Sequence, residues 1–290
     1  MTMKKIELEY LKEQYLCFIE DQGKSKKTVE NYARYLSRFL LSTQVVHPKD
    51  ITIQIVEKYR TGLNSPHSVS HKVLKNNTQN YHLTALRRFL AFLSKQHVSS
   101  LEPEKVQLTA YTSLAQKQSM SEPDIRILLH ASQGKDVKSL RDRAILLLLS
   151  STGVRVSELC ALNVVNFSGD ELMVQGTGVK ARNVLLPSEV RDAMRAYLDV
   201  RNDTSEALFV NNGKRVSSDG DIRLSVRQIE RIIRQCGVQV GLHCAVTPQR
   251  LRCAYAQEMF KNGADAGSVQ ELLGHQHIAT TKGYTKKTTS

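Results

Sequence analysis

The sequence predicts a mainly α-helical protein in two parts: a helical N-terminal bundle, then a mostly helical domain with one small antiparallel β-sheet. Three observations carry this expectation. Over the first hundred residues apolar side chains recur at steps of three and four, the signature of amphipathic helices. A polar stretch without sustained period, residues 99–119, then interrupts the pattern. Beyond it, further helical patterns enclose two short strand-like runs. A length of 290 residues suits one large or two moderate domains.

Taken in order, Leu8, Leu11, Tyr15, Phe18 and Ile19 form the first apolar stripe, which Gly23 ends. Ser25 suits the N-cap of a second helix, striped by Val29, Tyr32, Leu36, Phe39 and Leu40. A short third helix is expected over Ile51–Tyr59, and a loop over Thr61–Ser70, which holds Gly62 and Pro66. Leu83, Leu86, Leu90 and Leu93 mark a helix ending near Lys95. The first domain is therefore set at residues 1–105 and a linker at 106–119, within the polar Ser99–Ser119 stretch; a loop inside one domain is the alternative. The second domain, residues 120–290, opens with a helix over Glu122–His130, where Pro123 fits a first turn. Ala144–Leu149 is apolar on every side and reads as a buried helix. Asp170–Val174 and Asn183–Leu186 read as strands flanking Gln-Gly-Thr-Gly-Val-Lys-Ala-Arg, a hairpin. Helices follow over Arg191–Val200 and Leu224–Cys236. Thr247 and Pro248 form an N-cap and first-turn pair for a helix running to Gly263, and Leu272-Leu273-Gly274 ends another.

Composition narrows the function. The formal net charge is +13 and the pI about 9.5, which points to a nucleic acid, although a membrane surface or an acidic partner would also fit. Both halves carry an excess of basic residues, as expected if both touch one long polyanion. No apolar run approaches the roughly 20 residues that span a bilayer, and the N-terminus lacks an apolar signal core, so a soluble cytoplasmic protein is expected. Five cysteines without CxxC spacing argue against a disulfide framework or a zinc ribbon. His243, Cys244, Cys253, His275 and His277 match no common ligand spacing, so no metal is expected.

Three separated segments carry the chemistry. They are Thr152-Gly153-Val154-Arg155-Val156-Ser157-Glu158-Leu159, Thr247-Pro248-Gln249-Arg250-Leu251-Arg252, and Leu272-Leu273-Gly274-His275 with Tyr284 nine residues after the histidine. In order, spacing and local sequence they resemble the tyrosine recombinases, the family of phage integrases and Xer recombinases. The resemblance spans essentially the whole chain, since residues 1–105 look like the family's helical core-binding domain.

What the resemblance implies suits phosphoryl transfer at a DNA phosphodiester, where the transition state spreads charge over the non-bridging oxygens and catalysis rests on positioning and electrostatics. Arg155 and Arg252 are the expected phosphate-binding pair, because a guanidinium fork makes two hydrogen bonds to one phosphate. Tyr284 is the expected nucleophile, forming a 3′-phosphotyrosyl bond and freeing a 5′-hydroxyl. His275 is expected to hydrogen-bond the phosphate. Glu158, one turn after Arg155, is placed to orient it or to form a surface pair.

Two departures from the family pattern stand out. The hairpin lysine that protonates the leaving oxygen in many relatives is replaced by Thr177, so Lys180 is expected in that role, with Arg182 next. Gln249 stands where relatives carry histidine or lysine; an amide can hydrogen-bond but cannot take a proton. The expected DNA-binding residues are Lys26, Lys27, Arg87, Arg88, Arg182 and Arg250. The resemblance further implies a clamp on double-stranded DNA, a homotetramer on two paired sites, a Holliday junction between two strand exchanges, no cofactor, no membrane partner, and a bacterial nucleoid-associated location. Integration, excision and resolution, including that of a transposon cointegrate, are all compatible. Two other readings stay open: a DNA-binding regulator with a degenerate site, motivated by Thr177 and Gln249, and a nicking-closing enzyme of the type IB topoisomerase kind.

Overall fold

A computed structural model of the chain describes residues 7–64, 74, 76–108, 119–130, 134–175, 181–211 and 222–284. It divides into two compact units, Met1–Leu114 and Ala115–Ser290.

The first unit holds four helices: α1 (Leu8–Asp21), α2 (Lys26–Thr43), α3 (Ile53–Asn64) and α4 (Asn76–Lys95). Ser25 caps α2, its hydroxyl accepting the Thr28 N–H at 3.3 Å. The α4 stripe Leu83, Leu86, Leu90 and Leu93 is wholly buried. Tyr15 of α1 packs against Phe89 and Phe92, with ring centroids 5.5 and 5.3 Å away. The third helix differs from expectation. A 3₁₀ turn over Pro48–Asp50 precedes it, and it runs on through Gly62 to Asn64. Leu63 is buried in the core, and that burial outweighs the roughly 1 kcal/mol helix penalty of Gly62. The polar stretch after α4 is not loose throughout: it makes a 3₁₀ turn over Pro103–Lys105, and Val106 is buried in this unit's core.

The second unit is built around α6 (Val137–Thr152), which follows α5 (Glu122–His130). Asp136 caps α6, accepting the N–H groups of Lys138 and Ser139. Ala144–Leu149 is buried on every side, as its unbroken apolar run requires. The six-residue α7 (Val156–Ala161) comes next and is too short to show a period. The antiparallel pair β1 (Glu171–Val174) and β2 (Arg182–Leu185) joins Glu171 to Leu185 and Val174 to Arg182. The second strand thus starts and ends one residue earlier than expected. The remaining helices are α8 (Ser188–Val200), α9 (Val226–Gln239), α10 (Pro248–Lys261), α11 (Ala266–Leu273) and the short α12 (Ile278–Lys282). Helix α8 starts three residues earlier than expected and ends where expected, whereas α9 starts two residues later and ends three later. No helix among the described residues is long and apolar enough to cross a membrane.

Burial within the first unit predicts different costs for two leucine truncations. Leu90→Ala removes a side chain with no exposure and is expected to destabilise the chain by about 2–5 kcal/mol. Leu41→Ala, at a position 80 % exposed, is expected to stay within about 0.5 kcal/mol of wild type. Urea denaturation followed by circular dichroism measures both.

Candidate active site

The site begins where α6 ends. Gly153 takes a left-handed conformation, φ 61°, and turns the chain. A side chain there would also meet the Tyr255 ring at 2.6 Å, so both backbone and space require glycine. The turn delivers Arg155 to the start of α7. Glu158, one turn later, accepts the Arg155 backbone N–H at 2.9 Å and its Nη1 at 2.8 Å. The first of these is half of a capping box. Glu158 is buried and also receives Arg182 of β2, with Nη1 on Oε1 at 3.1 Å and Nη2 on Oε2 at 2.9 Å. Burial alone would raise its pKa. The hydrogen bonds from Arg182 and Arg155 outweigh that and hold the carboxyl below its ordinary value. Glu158 is therefore a buried carboxylate shared by two guanidiniums, not a surface pair.

The second arginine comes from α10. Thr247 caps this helix by accepting the Arg250 N–H at 3.2 Å, and Pro248 fills its first turn. That start sets Gln249, Arg252 and Cys253 in register along the helix. Arg252 is buried. Its Nη1 donates to the Gly153 carbonyl, and its Nη2 donates to the Leu273 carbonyl at 2.7 Å and lies 3.0 Å from His275 Nε2. Burial first, and then the neighbouring Arg155 charge, push the Arg252 guanidinium down to about 10, which leaves it charged at neutral pH.

The end of α11 gathers these groups. Asp265 caps its start through the N–H groups of Gly267 and Ser268. At the other end Gly274 is left-handed, φ 63°. The last turn of any helix leaves carbonyls without intrahelical partners, and here arginines take them. Leu272 O accepts from Arg182 Nε at 3.1 Å. Leu273 O accepts from Arg252 and, at 3.4 Å, from Arg155 Nη1. Gly274 O accepts from Arg155 Nη2 at 2.9 Å. Cations are favoured at this end of a helix.

His275 follows at once and is buried. Its Nδ1 lies 2.8 Å from Thr281 Oγ1. Because Nε2 faces an Arg252 donor, the network assigns the proton to Nδ1, donating to Thr281. The imidazole stacks on the Tyr284 ring, with centroids 5.7 Å apart and planes 14° off parallel. Tyr284 is buried against Cys253, Ala256, Val269 and Leu273, and its Oη accepts from Gln249 Nε2 at 3.1 Å.

The structure thus brings together Arg155, Arg252, His275, Gln249 and Tyr284. Lys180 and Thr177 lie outside the described residues. Arg182 stands inside the site, bonded to Glu158 and Leu272. Arg250 is at the site's edge with Nη1 on the Ala245 carbonyl, 2.9 Å. Lys26 and Lys27 are exposed in the first turn of α2; on α4 Arg88 is exposed and Arg87 half-buried. Sequence reasoning missed Thr281, for which no motif signals, and the double use of Glu158, which depends on a strand 24 residues away.

The chain matches the phage integrase family over residues 118–290. It is 32 % identical over 280 residues to tyrosine recombinase XerA of Pyrococcus furiosus, covering 95 % of this chain and 89 % of that protein. It is 33 % identical over 274 residues to tyrosine recombinase XerC of Actinobacillus succinogenes, covering 90 % and 86 %. Its fold is similar to the crystal structure of XerA recombinase, with a TM-score of 0.51 at 26 % identity over 96 % of this chain and 93 % of that one. It is also similar to a lambda integrase tetramer bound to a Holliday junction, TM-score 0.71 at 15 % identity, covering 97 % and 78 %. The chain belongs to the phage integrase family, among the tyrosine recombinases.

Proposed function

We propose that the chain is a site-specific DNA recombinase that cuts and rejoins duplex DNA through a covalent bond to Tyr284. The observation that carries this reading is the convergence of a phenol, two arginine forks and an imidazole on the end of one helix. A phosphodiester offers what that set recognises: a tetrahedral anion with two non-bridging oxygens and an ester bond to break.

In this reading Arg155 and Arg252 hold the non-bridging oxygens and stabilise the charge that develops there. When the phosphate draws the Arg252 fork to itself, Nε2 of His275 is freed, takes a proton and adds a hydrogen bond to the same phosphate. The Tyr284 Oη attacks phosphorus, the bond to the 5′-oxygen breaks, and a 3′-phosphotyrosine forms. A phenol of ordinary pKa near 10 is mostly protonated at neutral pH. The Gln249 amide, donating to Oη, stabilises the phenolate but accepts no proton, so the proton leaves to water. Lys180 gives its proton to the departing 5′-oxygen. In the second half the 5′-hydroxyl of the partner duplex attacks the phosphotyrosine, reseals the strand and releases the tyrosine. The phosphoester energy is kept throughout, so no nucleotide cofactor is consumed.

Partners follow from the same reading. Lys26, Lys27, Arg87, Arg88 and Arg250 contact the DNA backbone, so binding weakens with salt as counterions are released. Four protomers act on two paired sites, with a Holliday junction between the exchanges; the lambda integrase tetramer that shares the fold is bound to one. A nucleoid-associated, cytoplasmic location follows from such a substrate.

Two experiments check this. Protein mixed with nicked duplexes from the DNA flanking its gene, then denatured and digested, is expected to yield a nucleotide adduct on Tyr284 by mass spectrometry. Tyr284→Phe is expected to bind the same duplexes and yield none. Tight binding without an adduct in the wild-type chain would instead make this a DNA-binding regulator. The second concerns the leaving oxygen. A bridging phosphorothiolate, whose sulfur leaves without a proton, is expected to restore cleavage by Lys180→Ala but not by Arg155→Ala. Equal rescue of both, or rescue of neither, would remove Lys180 from that role.

A further inference from the structure

Arg182 is the first residue of β2, paired with Val174, the last residue of β1. Its side chain is only 13 % exposed. Two of its donors form a parallel fork on the two oxygens of Glu158, the strongest geometry available to an arginine–carboxylate pair. A third, Nε, holds the Leu272 carbonyl. A Cβ at Gly274 would lie 2.8 Å from Arg182 Nη1, so the α11 terminus is shaped to seat this guanidinium. Arg155 also meets three acceptors, but it takes only one oxygen of Glu158 and stays 34 % exposed, whereas Arg182 commits its whole fork to the carboxylate. Arg182 is thus the less available of the two to a phosphate.

The same carboxylate carries Arg155. Glu158 Oε1 accepts from both Arg155 Nη1 and Arg182 Nη1. Without Arg182, one buried carboxylate would face one arginine and draw it fully into an ion pair. With Arg182 present, the carboxylate's charge is already balanced and Arg155 keeps its own. Arg155 also keeps a side chain one-third exposed, open for a phosphate.

We infer that Arg182 is a positioning residue for the recombination chemistry: it neutralises Glu158 and ties β2 to the α11 terminus, so that Arg155 is held in place with its charge available. This rests on the recombinase reading above. It separates Arg182 from the residues that touch DNA, and it makes Glu158 the obligatory intermediary.

A double-mutant cycle tests the inference. The single-turnover rate of Tyr284 adduct formation is measured at saturating nicked duplex for wild type, Arg182→Met, Glu158→Gln and the double variant. DNA affinity and thermal unfolding are measured for each. Arg182→Met is expected to slow adduct formation roughly 10- to 100-fold, as when a partner that orients a functional ligand is removed. DNA affinity is expected to stay within about threefold, since the lost interaction is not made to DNA. In the Glu158→Gln background the same change is expected to cost less than about threefold, because coupled residues do not contribute independently. Arg182→Lys, which keeps the charge but not the fork, is expected to recover part of the rate, and it serves as the readout if Arg182→Met does not fold. Losses that multiply in the double variant, or a loss confined to affinity, would make Arg182 a direct DNA contact and overturn the inference. A lower unfolding temperature with an unchanged adduct rate would reduce it to a structural role and also overturn it. An absent adduct in the wild-type chain would overturn the recombinase reading itself, whereas an adduct without the coupling would overturn only the role of Arg182.

Discussion

Helix α11 ends with carbonyls that have no partner within the helix, and the candidate site is organised by how those carbonyls are satisfied. Leu272, Leu273 and Gly274 present three acceptors in a row, and Arg182, Arg252 and Arg155 supply the donors. Those arginines come from a strand, a helix start and a turn that are far apart in sequence. One helix terminus thus brings β2, α10 and the α6–α7 turn to a single point. His275 is the next residue along, and Tyr284 stacks upon it. Among the described residues, the placement of Arg155, Arg252, His275 and Tyr284 traces back to that terminus.

Three guanidiniums drawn so close repel one another. Two features offset the repulsion: the negative end of the α11 dipole and the buried Glu158 carboxylate, shared by two of the three. The offset is incomplete. Burial and the Arg155 charge both lower the pKa of the Arg252 guanidinium, so this pocket disfavours its own positive charge. An entering phosphate supplies the missing anion. A site that is unfavourable when empty and compensated when the phosphate gathers charge in the transition state is the preorganised arrangement that phosphoryl transfer requires.

Much of this was legible in the sequence. Thr152-Gly153-Val154-Arg155, Thr247-Pro248-Gln249 and Leu272-Leu273-Gly274-His275 are local signals, each joining a helix end to a functional side chain, and local signals survive in a linear reading. The four helices of the first unit were legible because leucine stripes such as Leu83–Leu93 repeat through several turns. What escaped depended on contacts across the fold. Helix α3 runs past Gly62 because Leu63 finds a core that the sequence does not display. Helices α7 and α12 are too short to repeat a pattern. Glu158 reads equally as an orienting partner of Arg155 or a surface pair until β2 brings Arg182 to it, and Thr281 has meaning only because α12 turns it toward His275. Gln249 was legible as a departure from the family pattern; its hydrogen bond to the phenol became visible only when Tyr284 was placed.

The most direct measurement is the adduct rate of Gly274→Ala beside its DNA affinity. Gly274 meets the site only through its backbone, whose carbonyl accepts from Arg155 Nη2; its left-handed conformation, and the Arg182 guanidinium seated where a Cβ would stand, set the direction of the α11 carbonyls. If the terminus organises the site, the substitution disturbs all three arginines at once: adduct formation on Tyr284 falls by about a hundredfold or more, a loss equivalent to about 2.7 kcal/mol of transition-state stabilisation, while the duplex is still bound. A rate equal to wild type in a folded Gly274→Ala chain would contradict the account, because the arginines would then be held by something other than the end of α11.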